Sequence, residues 1–364
     1  MRELTRDERA LVFLDSFENL EYKHKKALLD LAKGPCHLFA NKELIAGYFN
    51  ELGKPQLANA ILLALKDKEY VSQAIDKSLQ GAEDVVTIIS ENYPKELLNI
   101  PTPPIVLYAR GNVGLLAKKK VGIVGSRKTL PLYAKRAEEI SADLSNSDVV
   151  VVTGIAEGAD SKAIKGALKS GNVISVFAGE VGKAYPSTAN SLAEEIVKSG
   201  GLIISEYTCG KTPRVYSYPV RNRIIAGLSL GCLIVSGEQT SGTRYTAGYS
   251  VDYGREVFCL PYGLGVKSGE ICKWLIKNGA TMVETAEDIA FSLGITLKED
   301  KKEEISLSEN EKTLLSLIKE GVSNTDILAE KSGMLIFEII SALGMLELKG
   351  LIVKDLNGEY SATR

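Results

Sequence analysis

The sequence predicts an α/β protein: a parallel sheet, with a helical region ahead of it and a small helical module behind. Three observations predict this. Short runs in the middle of the chain are apolar at nearly every position, amphipathic segments separate them, and both ends have helical periodicity. The runs are VGIVG (121–125), VVVVTG (149–154), VISVFAG (173–179), LIISE (202–206), CLIVSG (232–237) and EVFCLP (256–261). A strand with one wet face alternates apolar and polar residues. These do not, so both of their faces need cover, as in a parallel sheet between layers of helix. YAKRAEEISADLS and SKAIKGALKSG supply such helices, and repeated strand–helix units imply right-handed crossovers.

The flanks follow from texture. In residues 1–100, ERALVFLDSFENL, HKKALLDLAKG and NKELIAGYFNEL carry apolar residues at helical spacing, with breaks at Gly34-Pro35 and Gly53 to Pro55. PTPP at 101–104 is a stiff connector into the α/β domain, expected over 101–297. Residues 298–310, KEDKKEEISLSEN, form a charged linker of mixed sign. Residues 311–364 read as three helices and a hairpin around Asn357-Gly358, the outline of a winged helix. From Asp300 onward there are eight Lys or Arg against twelve Asp or Glu, a formal net −4. The third helix, LIFEIISALGMLELKG, carries glutamates and almost no cations, so a protein contact or structural support is expected there rather than duplex reading.

Bulk properties exclude several classes. The chain has 364 residues, a formal charge of −2 and 45% hydrophobic residues, so it is not a polycation, and any nucleic-acid surface must be a local patch. No stretch reaches the ~18 apolar residues of a membrane span, and the N-terminus lacks a secretory h-region, so a cytoplasmic protein without membrane association is expected. Five cysteines without a CxxC pair suggest neither disulfides nor zinc. The only histidines, His24 and His37, lie far from the glycine-bearing loops, which excludes imidazole chemistry in the central domain.

Candidate site residues sit where strands end. Ligands of open parallel sheets bind at the carboxyl ends of strands. In GSR, Gly125 permits a tight turn, Ser126 follows, and Arg127 offers a planar fork for a phosphate; a plain strand-to-helix turn explains the same residues. In TGIAEGADSKA, Gly154 and Gly158 would expose main-chain donors, and Asp160 would cap the next helix. GxGxxG and a Walker lysine motif are absent from these loops, so no nucleotide cofactor is expected. GKTPRVYSYPVRNRIIAGLS is the densest signal. Lys211, Arg214, Arg221 and Arg223 fall within thirteen positions, among Tyr216 and Tyr218. Cations suit phosphates and aromatic faces suit unpaired bases, a mixture fitted to single strands. Packing accounts for Tyr216 equally well. Arg221 and Arg223 cannot point the same way on one helix. One is expected at the ligand and the other at a carboxylate such as Glu206 or Glu238.

VGIVGSR, TGIAEGAD, AYPSTANSLAEEI, LIISE, YPVRNRIIAGLS and SGTRYTAGYSVDYGREVFCLPYG, in this order and spacing, resemble the DNA-processing protein A family, also called Smf. The resemblance covers about residues 100–285. It implies an extended Rossmann-like domain, a helical N-terminal domain of SAM or helix-hairpin-helix type and a winged-helix C-terminus. It implies single-stranded DNA as ligand, dimerisation through the central domain, and loading of the RecA recombinase during natural transformation, with no cofactor. It places Ser126 and Arg127 on phosphates, Tyr218 on a base, and Lys211 or Arg214 on a further phosphate; Arg221, Asn222 and Arg223 match its motif. The chain departs from the pattern after GSR, where TLPLYAK brings Ala134 in place of a glycine, at Pro261-Tyr262-Gly263, and at Lys273.

The competing reading is a nucleotide-processing enzyme of the phosphoribohydrolase type, whose PGGxGTxxE loop is replaced here by SGTRYTAG at 241–248. Glu180, Glu206 and Glu238 are its candidate acids and bases, each equally explained by pairing with an arginine. A third reading is a scaffold that binds no nucleic acid.

Overall fold

Continuous apolar runs make strands that must be covered twice, and the central sheet is. The computed structural model describes residues 2–17, 20–298, 307–354 and 358–362. It divides into two units, Met1–Lys298 and Glu299–Arg364.

The first unit opens with helices α1 (Arg6–Asp15), α2 (Tyr22–Ala32), α3 (Pro35–Ala40), α4 (Lys42–Glu51), α5 (Pro55–Ala64) and α6 (Lys68–Leu79). Strands β1 (Asp84–Thr87), β2 (Val106–Gly111), β3 (Lys120–Val124), β4 (Val150–Thr153), β5 (Val173–Val176), β6 (Leu202–Ser205), β7 (Gly231–Ile234), β8 (Glu256–Cys259) and β9 (Thr281–Met282) follow. The helices between them are α7 (Lys95–Leu98), α8 (Pro131–Asn146), α9 (Ala159–Ala167), α10 (Asn190–Lys198), α11 (Ser217–Leu228), α12 (Thr243–Asp252), α13 (Glu270–Lys277) and α14 (Ala286–Leu293).

The strands form one sheet in the order β1-β2-β6-β5-β4-β3-β7-β8-β9. β1 pairs antiparallel with β2, and β2 with β6; the remaining pairs are parallel. All six apolar runs are strands, β3 to β8. Their side chains divide between two cores. Val151 and Ile203 point to one with α8, α9 and the N-terminal helices, while Val150, Val152, Leu202 and Ile204 point to the other with α11, α12 and α13. Each strand residue therefore enters an apolar layer whichever way it faces, which is why alternation is missing.

Two expectations need correction. The sheet begins at Asp84, not after residue 100, because β1 and β2 extend it with short antiparallel strands. The N-terminal helices are not a separate body either. Leu11, Phe13, Leu28, Ile45 and Phe49 share a core with Val85, Tyr108 and Val121, and the Tyr108 hydroxyl donates to Asp15 at 3.1 Å.

The second unit holds α15 (Glu309–Lys319), α16 (Thr325–Ser332), α17 (Ile336–Leu348) and an antiparallel pair, β10 (Ile352–Lys354) with β11 (Tyr360–Ala362). Ser308 caps α15 in a reciprocal box with Glu311. Leu314, Ile318, Leu328, Ile339, Leu343 and Leu346 form its core. Phe337, Ile340 and Leu348 of α17 stay exposed. Most of the expected linker and Asn357 of the expected turn lie outside the described residues.

Candidate nucleic-acid interface

The strand order reverses between β3 and β7, and a crevice opens at such a switch point, beyond the carboxyl ends of the strands. GSR leaves β3 there. The loop after β7 meets it: the Ser126 N–H donates to Ser236 Oγ at 3.0 Å, and the Thr129 hydroxyl donates to the Ser126 carbonyl at 2.6 Å. The Ser126 N–H at this turn is therefore already used. The Ser126 hydroxyl accepts from the Lys128 N–H at 3.1 Å and keeps its own proton for another partner.

The glycines serve close packing. A Cβ on Gly125 would lie 2.5 Å from the Cβ of Ala159, at the start of α9. Gly158 has φ +85°, and a Cβ there would collide with the Ser126 carbonyl oxygen. The second glycine-bearing loop is thus seated beneath the first. Gly158→Ala is expected to destabilise the protein by more than about 1 kcal/mol and to weaken nucleic-acid binding, read by denaturant melting and by titration. Gly154 does not face solvent; it is buried, and a Cβ would collide with Asp160 Oδ2 and lie 2.7 Å from a guanidinium nitrogen of Arg221. Its role here is to make room for that pair.

Arg221 and Arg223 both turn inward. Arg221 is 6% exposed and donates to the Val176 carbonyl, with Asp160 close enough to interact through charge. Burial pushes the Asp160 carboxyl up and Arg221 pulls it part of the way back, to about 6. Arg223 is 9% exposed and pairs with Glu206 at 2.5 Å. The Arg223–Glu206 pair is the expected contact with a carboxylate; the other half of the expectation, an arginine held out toward the ligand, is not met by Arg221, which is spent on a main-chain carbonyl. Neither guanidinium lies on the open surface, because each is enclosed by α11 and the strand ends it locks together. Asn222, half-buried, accepts from Arg221 Nε at 3.1 Å.

What remains at the surface is a compact group. Arg127 is exposed, and its Cζ lies 5.9 Å from the centroid of the half-buried Tyr218 ring, cation over π face. It makes no ion pair among the described residues. The two flank a small pocket walled by Phe177, Tyr185, Pro186 and Pro213, with the buried Arg221 behind. Arg214 is exposed at the rim, donating to the Tyr216 hydroxyl at 3.4 Å, and Tyr216 itself is 61% exposed. Packing between helix and sheet therefore does not account for Tyr216. Lys211 lies beside them, its carbonyl accepting from the Glu180 N–H at 2.9 Å.

Sequence reasoning missed a second cation–aromatic pair. Lys183 Nζ lies 5.6 Å from the Tyr185 centroid, and Tyr185 lines the same pocket. The signal was present: AYPSTANS follows the β5 run, so its loop belongs to the same edge. Two of the departures from the family pattern also meet. Tyr133, within TLPLYAK, stacks on Tyr262 with centroids 3.7 Å apart and planes at 11°, tying α8 to the exit of β8.

Fold and site together define a Rossmann-like protein with a basic, aromatic pocket at its switch point. A family model for "DNA recombination-mediator protein A" matches residues 84–294, and the chain belongs to that family. Protein Smf of Escherichia coli (strain K12) is 33% identical over 298 residues, 78% of this chain and 79% of that protein. Among solved structures, DNA processing protein A (DprA) of Streptococcus pneumoniae superposes with a TM-score of 0.60 at 26% identity, covering 80% of this chain and 98% of that one. DNA processing protein A of Helicobacter pylori, whose structure addresses its single-stranded DNA binding mode, gives 0.52 at 27% identity, covering 58% and 95%.

Proposed function

We propose that this chain is a non-catalytic single-stranded DNA-binding protein that protects incoming DNA and delivers it to the RecA recombinase in natural transformation or recombination. One observation carries the binding: an Arg127 guanidinium with no ion pair among the described residues, over the Tyr218 ring at the mouth of an aromatic pocket on the sheet's carboxyl edge. A phosphate matches the fork, and an unstacked base matches the ring. The single-strand-binding relative from Helicobacter pylori supports the same ligand. Delivery to RecA rests on the family likeness. We further propose a homodimer, in which a second copy docks on the later α/β units; there Leu264, Trp274 and Met282 are exposed beside the open edge strand β9.

The enzyme reading lacks support from the pocket, whose lining has no carboxylate, histidine or thiol. Glu206 is committed to Arg223, and Glu180 accepts from the Gly210 N–H at 3.0 Å. Titration of a labelled oligothymidylate against increasing salt tests the proposal. Tight binding to the single strand, weaker binding to duplex, and log K falling by about 0.7 per phosphate contacted are expected. Equal affinity for both forms, or release of free base from a nucleoside monophosphate, would overturn it.

A further inference from the structure

Helix α12 turns an accessible face to solvent. Tyr245 in its first turn is 52% exposed, and Gly248 is exposed on the next turn. Arg244 is exposed as well, and makes no ion pair or side-chain hydrogen bond among the described residues. Tyr245, Tyr249 and Tyr253 recur every four residues and so lie on one side of the helix. Tyr249 and Tyr253 stack with centroids 5.8 Å apart and planes at 20°, and Tyr253 packs on the core beneath α11, α12 and α13, which anchors the row. The fold does not require Gly248. It lies inside the helix, has no positive φ, and a Cβ there would meet no atom within 4 Å. Alanine would make the more stable helix, so this glycine costs stability and serves no packing. What it does is leave bare backbone beside Tyr245 and Tyr249. The face also adjoins the pocket. Ser236 Oγ accepts from the Ser126 N–H at 3.0 Å, and the Ser236 carbonyl accepts from the Thr243 hydroxyl at 3.3 Å. Arg127 follows Ser126 and Arg244 follows Thr243, so the two arginines stand on segments joined through one serine.

We propose that this face of α12 continues the single-strand path beyond the Arg127–Tyr218 pocket: Arg244 takes a phosphate, Tyr245 takes a base, and Gly248 lets the strand lie against the helix. The inference rests on the single-strand reading above. A free guanidinium suits a phosphate, and an exposed ring suits an unstacked base of any identity. In a duplex the bases are stacked on one another and offer Tyr245 no face. Asp252, exposed at the far end of the helix, repels phosphate, so the strand leaves α12 before reaching it.

The probe is a ladder of oligothymidylates from about 4 to about 16 residues, the span of single-strand grooves. Wild-type affinity is expected to climb with length more steeply than the added binding registers account for. Tyr245→Ala should flatten that climb, binding the longest oligomer about tenfold more weakly, the worth of one stacked base. Arg244→Ala should make the salt dependence for the longest oligomer shallower by about 0.7. Gly248→Gln should melt no lower than the wild type, since glutamine is the better helix former, yet should flatten the climb by covering the bare backbone. If Tyr245→Ala melts early, Gly248→Gln decides. Arg127→Ala should weaken binding at every length. No loss in Tyr245→Ala and Gly248→Gln, or an equal loss at all lengths, overturns the extension while leaving Arg127-dependent binding intact. A change of particle mass in DNA-free Gly248→Gln, read by light scattering, also overturns it and gives the face to a second copy. If no oligomer binds the wild type, the single-strand reading and the extension fall together.

Discussion

Arg127→Ala is expected to lower affinity for an oligothymidylate about ten- to hundredfold at low salt, the worth of a hydrogen bond to a charged group. The plot of log K against log salt should also become shallower by about 0.7, because one fewer counterion is released. Tyr218→Ala should lose a similar amount, about 1–3 kcal/mol of base stacking, without changing the slope. Tyr218→Phe should bind nearly as the wild type, since it keeps the face. The two alanine variants should not add. The guanidinium covers the ring in the free protein, so a base that takes that face moves the arginine toward the backbone. Equal salt slopes for wild type and Arg127→Ala would remove the phosphate contact from the scheme.

The largest stability effect is expected at Arg221→Met. Arg221 is buried behind the pocket, bound to the Val176 carbonyl and facing the buried Asp160. Removing one member of a buried pair leaves the other charge uncompensated, at a cost of about 3–5 kcal/mol. That is a large share of the ~5–15 kcal/mol that holds a domain together. The loss should depend on pH. Asp160 is raised to about 6 in the fold, above its value of about 4 in the unfolded chain, so the folded state favours its protonated form. Its contribution is complete below about pH 4 and is lost as pH rises through about 6. Without Arg221 the folded value climbs further, so the variant should be weakest at pH 8 and partly restored near pH 5. Guanidinium melts at the two pH values read this directly. A loss that is the same at both would show that Arg221 acts through packing alone.

The central architecture was legible because two-sided burial leaves a mark that no turn or surface helix imitates: VVVV and LIIS cannot alternate when both faces are dry. The placement of GSR at the carboxyl edge of the sheet followed from the same logic. β1, β2 and β9 escaped notice, being short and at the margins of the sheet, where pairing with a neighbour rather than local pattern makes the strand. The N-terminal helices were visible as helices, but nothing local in HKKALLDLAKG announces that Leu28 will share a core with Tyr108.

Local chemistry by itself determined which residues were cations, rings and flexible turns, and that the strands would be sandwiched between helices. Tertiary structure alone decided which of those groups face the solvent. Arg127 and Arg221 are identical side chains, yet one lies over a tyrosine at the rim and the other is enclosed with Asp160. The physical reason is that exposure belongs to the crossing of distant segments. Strand order brings residues 127, 185 and 218 to one pocket, and no spacing along the chain encodes that distance.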